Sequence, residues 1–195
     1  VKVIDLIKTP MEGLWADCLT VIADSEDPLK ENYTTINFEE FISFPCVVDS
    51  DRIVCFSGLQ YNERKWGRGI ARASSRMWID PAYRHQGITK FTGGSKFLNT
   101  TYCLPLQFAE LAANNINSVF ISRESNVRAF KEYLKLIKIN CGMEFELEPN
   151  LYNVCGPQSV IPVSCQQFVA VHHRNKSAST WTANMIKYKL NEFII

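Results

Sequence analysis

The sequence predicts an α+β fold with a mixed, mostly antiparallel central sheet flanked by helices. Two observations carry this. Residues 41–79 read as strands joined by turns, which makes a meander. From residue 104 onward the pattern changes to helix, strand, helix, strand, strand, which is an α+β plan. Composition agrees: of 195 residues 46% are hydrophobic and 21% charged, enough apolar chain for one core without disulfide or metal support. The absence of an internal repeat, low-complexity tract or linker predicts one domain over residues 1–195.

Lys2 to Lys8 alternates as a first strand. "MEGLWADCLTVIADS" follows Pro10 and carries Leu14, Cys18, Leu19 and Ile22 at helical spacing, so a first helix is expected there. Residues 24–38 are polar and turn-rich, a loop or a short helix. "EEFISFPCVVDSDRIVCFSGLQYNE" reads as a short piece of helix, then two strands around a tight Asp49-Ser50-Asp51 turn. "GIARASSRMWID" is a further strand, and "LPLQFAELAANN" is helical. "INSVFIS" is a nearly continuous apolar run suited to a central strand. "SNVRAFKEYLKLIKI" places Val127, Phe130, Leu134 and Ile137 on one helical face, with Ser125 or Asn126 as cap. "MEFELEPNLYNVC" and "PVSCQQFVAVHH" read as closing strands, and "STWTANMIKYKLNEFII" as a terminal helix.

Several function classes are disfavoured. A formal net charge of +1 argues against a nucleic-acid groove or a polybasic membrane anchor. No apolar run approaches the roughly 20 residues of a membrane span. The seven cysteines are irregularly spaced and lack C-x-x-C, which predicts buried reduced thiols in a cytoplasmic protein rather than a disulfide scaffold. No metal is expected: His172, His173 and Cys165 lie near one another without paired-ligand spacing. "TGGSK", Thr92 to Lys96, lacks the upstream glycine of a nucleotide-binding P-loop.

The stretch "RMWIDPAYRHQGIT" begins as a strand, breaks at Asp80-Pro81 and runs into a basic, glycine-containing turn. Backbone N–H groups converge at such a strand-to-helix turn, the helix dipole adds positive potential, and Gly87 lets the backbone approach a ligand without a Cβ in the way. A pyrophosphate fits this arrangement; a solvated turn is the other reading. The stretch resembles the acyl-CoA-binding motif of the GNAT (GCN5-related N-acetyltransferase) superfamily: Ile79, Pro81, Arg84 and Gly87 stand at matching positions, with Thr89 where Gly or Ala is usual. "SNVRAFKEY" also resembles that superfamily's Asn-x-x-Ala-x-x-x-Tyr, with Asn126, Ala129 and Tyr133 on one helical face. The resemblance covers about residues 40–173, leaving about 174–195 as a C-terminal extension.

The resemblance implies a GNAT-like acyl-CoA N-acyltransferase fold and an enzyme that transfers an acyl group, acetyl-CoA being the expected cosubstrate, to an amine of a small molecule or peptide. It implies a cofactor site of Trp78, Ile79, Arg84, His85, Gln86, Gly87, Ile88, Thr89 and Asn126, in which backbone N–H groups near Trp78 and Ile79 hold the oxyanion. Tyr133 would protonate the departing thiolate; a core aromatic is the other reading. Glu124, at the end of "INSVFIS", is the candidate base, with a rim carboxylate as the alternative. A homodimer is compatible with the resemblance. The departures are Gly93-Gly94, "LNTT" and Pro105, which predict a short helix after Gly87 and an inserted loop before "LPLQFAELAANN". They also keep open a catalytically inactive acyl-CoA-binding or structural protein on the same fold.

Alternation along "IARASSRMWID" puts Arg72, Ser74, Arg76 and Trp78 on one face. That face is either solvated or a cationic acceptor wall, in which Arg72 and Arg76 would bind an acidic group carried by the acceptor amine.

Overall fold

The computed structural model describes residues 2–62, 69–84, 98–123, 145–148 and 167–172. Its contacts divide the chain into two compact units, one of residues 1–60 and 73–110, the other of residues 61–72 and 111–195.

In the first unit β1 (Lys2–Asp5), β3 (Pro45–Asp49) and β4 (Arg52–Gln60) pair antiparallel in that order, β2 (Phe41–Ser43) pairs with β4, and β5 (Ile70–Ile79) is the next neighbour of β4. The β3–β4 turn is the predicted one. Ser50 and Asp51 have φ of 49° and 60°, the left-handed conformation that two-residue hairpin turns need, and Asp and Ser tolerate it better than branched residues. The first strand ends at Asp5 rather than Lys8, because Asp5 turns its carboxylate onto the chain. Its Oδ1 accepts from the N–H groups of Ile7 and Phe44, and its Oδ2 from the Ser43 hydroxyl.

One face of this sheet is covered by α1 (Glu12–Ala23) and α2 (Lys30–Thr34). Cys18, Ile22 and Tyr33 are buried there with Phe44, Cys46, Val48, Ile53, Phe56 and Trp78. Phe56 lies at the middle, stacked between Phe44 at 5.4 Å and Trp78 at 5.5 Å. Gly58 is required beside this cluster: a Cβ would collide with Phe41 and come within 2.7 Å of the Phe44 ring.

The opposite face packs Val47, Val54, Cys55 and Ile79 against Cys103, with Leu98 and Tyr102 alongside. The expected short helix after Gly87 and the first part of the expected inserted loop lie outside the described residues; the last part of that loop, Leu98 to Cys103, is helical instead. Leu98 is already helical, Asn99–Cys103 forms a π-helical turn, and α3 (Leu104–Asn114) continues from it. Pro105 explains the wide turn. It has no N–H, and its ring would press on the carbonyl one α-turn back; the π turn, where the Leu104 N–H reaches the Asn99 carbonyl, widens the backbone just ahead of it. Asn115, at φ 55°, closes the helix, and the Ile116 N–H returns to the Leu111 carbonyl.

In the second unit β6 (Asn117–Arg123) pairs antiparallel with β8 (Gln167–His172), and β8 with β7 (Phe145–Glu148). The start of β5 joins β6 in parallel, Ile70 with Asn117, Ala71 with Ser118 and Arg72 with Val119. The sheet is therefore mixed and mostly antiparallel, as expected. The predicted helices around 126–139 and 179–195 lie outside the described residues.

Candidate functional site

Strand β5 and the turn that follows it hold the described part of the predicted site. Asp80 ends the strand and caps a 3-10 turn, Pro81–Tyr83. Its Oδ1 accepts from the Ala82 N–H at 2.8 Å, and Pro81 stands where a missing N–H costs nothing. Two contacts then fix this turn to the β3–β4 hairpin. Arg52 pairs with Asp80 at 3.3 Å, and the Tyr83 hydroxyl donates to Asp49 at 2.7 Å, with the Arg52 guanidinium 5.6 Å from the Tyr83 ring centre. The hydrogen bond to Asp49 holds the Tyr83 phenol above its usual pKa.

Arg84 is tied down as well. Its Nε donates to the Ile79 carbonyl at 2.8 Å, and its terminal nitrogen pairs with Asp27 at 2.9 Å. The backbone N–H groups of Asp80, Ala82, Tyr83 and Arg84 are all taken, by Val54, Asp80, Asp80 again and Pro81. Residues 80–84 therefore have no backbone N–H left over for the expected pyrophosphate. His85, Gln86, Gly87, Ile88 and Thr89 lie outside the described residues, as do Glu124, Asn126 and Tyr133.

Trp78 and Ile79 are buried on opposite faces, Trp78 stacked on Phe56 and Ile79 in the cluster around Cys103. The predicted sharing of one face by Arg72, Ser74, Arg76 and Trp78 fails between Ser74 and Trp78. The Ser74 hydroxyl accepts from Asn99 at 2.9 Å, on the side of the π turn, whereas Trp78 packs on the side of α1 and α2. Alternation breaks between them because Ser74 and Arg76 have φ of 54° and 57°, left-handed values inside a strand. The break is held by a buried polar network. The Ser74 N–H donates to Gln107 Oε1 at 2.9 Å, Gln107 Nε2 donates to the carbonyl and hydroxyl of Ser57 at 3.0 and 2.8 Å, and the Ser57 hydroxyl bonds to Asn99. Ser57, Asn99 and Gln107 are fully buried, so each hydrogen bond also avoids the cost of an unmet polar group.

Sequence reasoning missed Asp27, Tyr33, Asn99 and Gln107. Tyr33 is buried in α2 and donates its hydroxyl to the Met77 carbonyl at 3.2 Å. Burial, then the charge of Asp27, pushes its phenol up to about 12, against the opposing influence of Arg84 and Arg76. No motif marks these residues; only the approach of distant chain segments brings them to β5.

Cys18, Cys46, Cys55 and Cys103 are free and buried, as the cysteine pattern predicted for them. Burial pushes Cys18 up to about 12 and raises Cys46 and Cys55 well above the ordinary thiol value. A thiol or phenol that ionises only when unfolded favours the unfolded state above its ordinary pKa. These groups therefore contribute stability that is intact below about pH 9 and is lost as pH rises toward 12. Urea midpoints at successive alkaline pH values should be flat up to about 9 and then fall, each such thiol adding about 1.4 kcal/mol per pH unit. A midpoint unchanged to pH 11 would show that these side chains are open to water. Among the described residues no group of three or more His, Cys, Asp or Glu could hold a metal, and no helix is long and apolar enough to cross a membrane.

No protein-family model matches the chain, and no curated protein sequence matches it either. Solved structures do. A mutant form of spermidine N-acetyltransferase SpeG from Vibrio cholerae is similar over 91% of this chain and 99% of its own, with 15% identity and a TM-score of 0.51. ElaA from Escherichia coli is similar over 89% of this chain and all of its own, at 10% identity and TM-score 0.52. An acyl-CoA N-acyltransferase from Pseudomonas aeruginosa covers 88% of this chain and 97% of its own, at 11% identity and TM-score 0.50. The fold is that of the GNAT acyl-CoA N-acyltransferases.

Proposed function

We propose that the protein is an acyl-CoA-dependent N-acyltransferase, with acetyl-CoA as donor and an amine of a small molecule or peptide as acceptor. The observation that carries this is the shared fold over about nine-tenths of the chain, with a strand-end turn at the position where the sequence resembles the acyl-CoA motif. The reaction needs four things from the chain: a cradle for the pyrophosphate, a donor for the oxyanion, a proton for the leaving thiolate and a route for the amine's proton. The turn at Asp80–Arg84 supplies the first indirectly. Its own N–H groups are spent internally, and so are the acceptors on Asp80, so we assign it a supporting role and the phosphate contacts to residues 85–89. The Arg84 side chain, tied to Ile79 and Asp27, acts in the same way as a brace. Backbone N–H groups of Gly87 and its neighbours would then meet the phosphates, and Asn126 the pantetheine arm. In the chemical step the amine nitrogen bonds to the thioester carbon, the C–S bond breaks, and Tyr133 gives its proton to the sulfur. Glu124 is the candidate to take the amine's proton. The chain is read as acting in the cytoplasm.

The test is release of free thiol from acetyl-CoA in the presence of a panel of amines, with product masses recorded. Thiol release dependent on an added amine supports acyl transfer. Tight acetyl-CoA binding without release for any amine would favour a catalytically inactive binding protein. Gly87→Val should weaken CoA binding at least ~10-fold, about 1.4 kcal/mol, because a branched side chain then occupies the approach to the backbone. Calorimetry giving the wild-type affinity in that variant would remove the turn from the cofactor site.

A further inference from the structure

We propose that Arg76 is the specificity residue for the acceptor, binding a carboxylate that the acceptor amine carries. Three observations converge on it. First, Arg76 sits in the left-handed region, φ 57°, inside a strand, where L-residues other than Gly, Asn and Asp are uncommon. Strain of that kind persists where the surrounding structure enforces it, and it concentrates at ligand sites. Second, among the described residues its guanidinium has no hydrogen-bond or ion-pair partner, although the residue is half-buried. The other arginines nearby are engaged: Arg84 with Asp27, Arg52 with Asp80, and Arg72 with interactions of its own. Third, Arg76 precedes Met77, whose carbonyl accepts from the hydroxyl of the buried Tyr33, so it lies in a packed part of the strand and not in a free loop.

A guanidinium presents a planar fork of N–H groups, and a carboxylate offers two oxygens at matching spacing. A partly desolvated arginine with no internal anion is therefore preorganised for that group: the desolvation cost was met on folding, and the ligand does not have to break an existing pair. This differs from the two-arginine wall expected from strand alternation. The strand is broken at Ser74 and Arg76, Arg72 has interactions of its own, and among the described residues nothing pairs with the Arg76 guanidinium.

The inference rests on the acyl-transfer reading for calling the ligand an acceptor, but carboxylate binding can be measured without turnover. Calorimetry in the presence of CoA would use matched pairs that differ only in the acid, glycine against glycinamide and β-alanine against β-alaninamide, with spermidine as a cationic probe. The wild type should bind the acid of at least one pair 10-fold or more tighter than its amide, and should not prefer spermidine. Arg76→Gly is the decisive variant, because glycine adopts φ 57° freely: its melting temperature should match or exceed the wild type, while the preference for the acid disappears. Arg76→Lys should keep part of that preference. No preference for the acid in any pair, stronger binding of spermidine, or a preference that survives in Arg76→Gly would each overturn the proposal. A fall in the melting temperature of Arg76→Gly would also overturn it, by showing that the guanidinium serves the fold. Acid-selective binding without thiol release would defeat acyl transfer and leave the carboxylate site standing.

Discussion

Phe56→Ala should cost about 3–5 kcal/mol of folding stability, a large part of what a domain of this kind has. Phe56 is fully buried and meets four aromatic rings: Trp15 and Tyr33 edge-on, Phe44 and Trp78 nearly stacked. Removing it forfeits the transfer free energy of the ring and leaves a gap that these partners cannot all close, because each is held by other contacts. Tyr33 is held at the Met77 carbonyl, and Trp15 and Phe44 by Phe38. Each ring pair lost adds about 0.5–1.5 kcal/mol beyond simple burial. Phe56→Leu should cost less, since it refills much of the volume. Urea unfolding of the two variants measures both. A loss below about 2 kcal/mol for Phe56→Ala would mean that the cluster collapses around the gap. Because Trp78 stacks on Phe56 and Asp80 follows two residues later, the alanine variant should also bind CoA less tightly at temperatures where it is still folded.

Tyr133→Phe should lower kcat roughly 100-fold, about 2.7 kcal/mol in the barrier, with little change in CoA affinity. The direction follows from leaving-group chemistry. A thiol with an ordinary pKa near 8.5 departs faster when a proton reaches sulfur as the C–S bond breaks. Phenylalanine keeps the ring and removes only the hydroxyl. The effect belongs in kcat and not in binding, since the proton transfer is made only as the transition state forms. Single-turnover thiol release measures it directly. Turnover of the Phe variant at the wild-type rate would reduce Tyr133 to a packing residue.

Much of the fold was legible in the sequence because its signals are local. The apolar spacing of Leu14, Cys18 and Ile22 places α1, the Asp49-Ser50-Asp51 turn sets the β3–β4 hairpin, and Asp80-Pro81 ends β5 at the residue where the chain turns. The cysteine pattern likewise announced buried thiols at the four described positions. Each of these depends on residues within a few positions of one another. The breaks in β5 do not. Serine and arginine have no intrinsic preference for a left-handed φ, so no local rule predicts Ser74 and Arg76. Gln107, 33 residues away, claims the Ser74 N–H, while Trp78 is drawn to the opposite face by Phe56. Pro105 misled for a related reason: a helix-breaking residue is tolerated once a π turn opens the backbone ahead of it, and that turn is fixed by packing Cys103 and Asn99 on the sheet. Arg84 is expected in the cofactor site because its neighbours resemble a motif, and no motif foretells that its side chain meets Asp27, 57 residues away. Sequence periodicity and turn chemistry thus determined where the elements lie, whereas side-chain direction at the strand end was decided by partners that only the folded chain brings together, because hydrogen-bond satisfaction in a buried network outweighs the preference of any one residue.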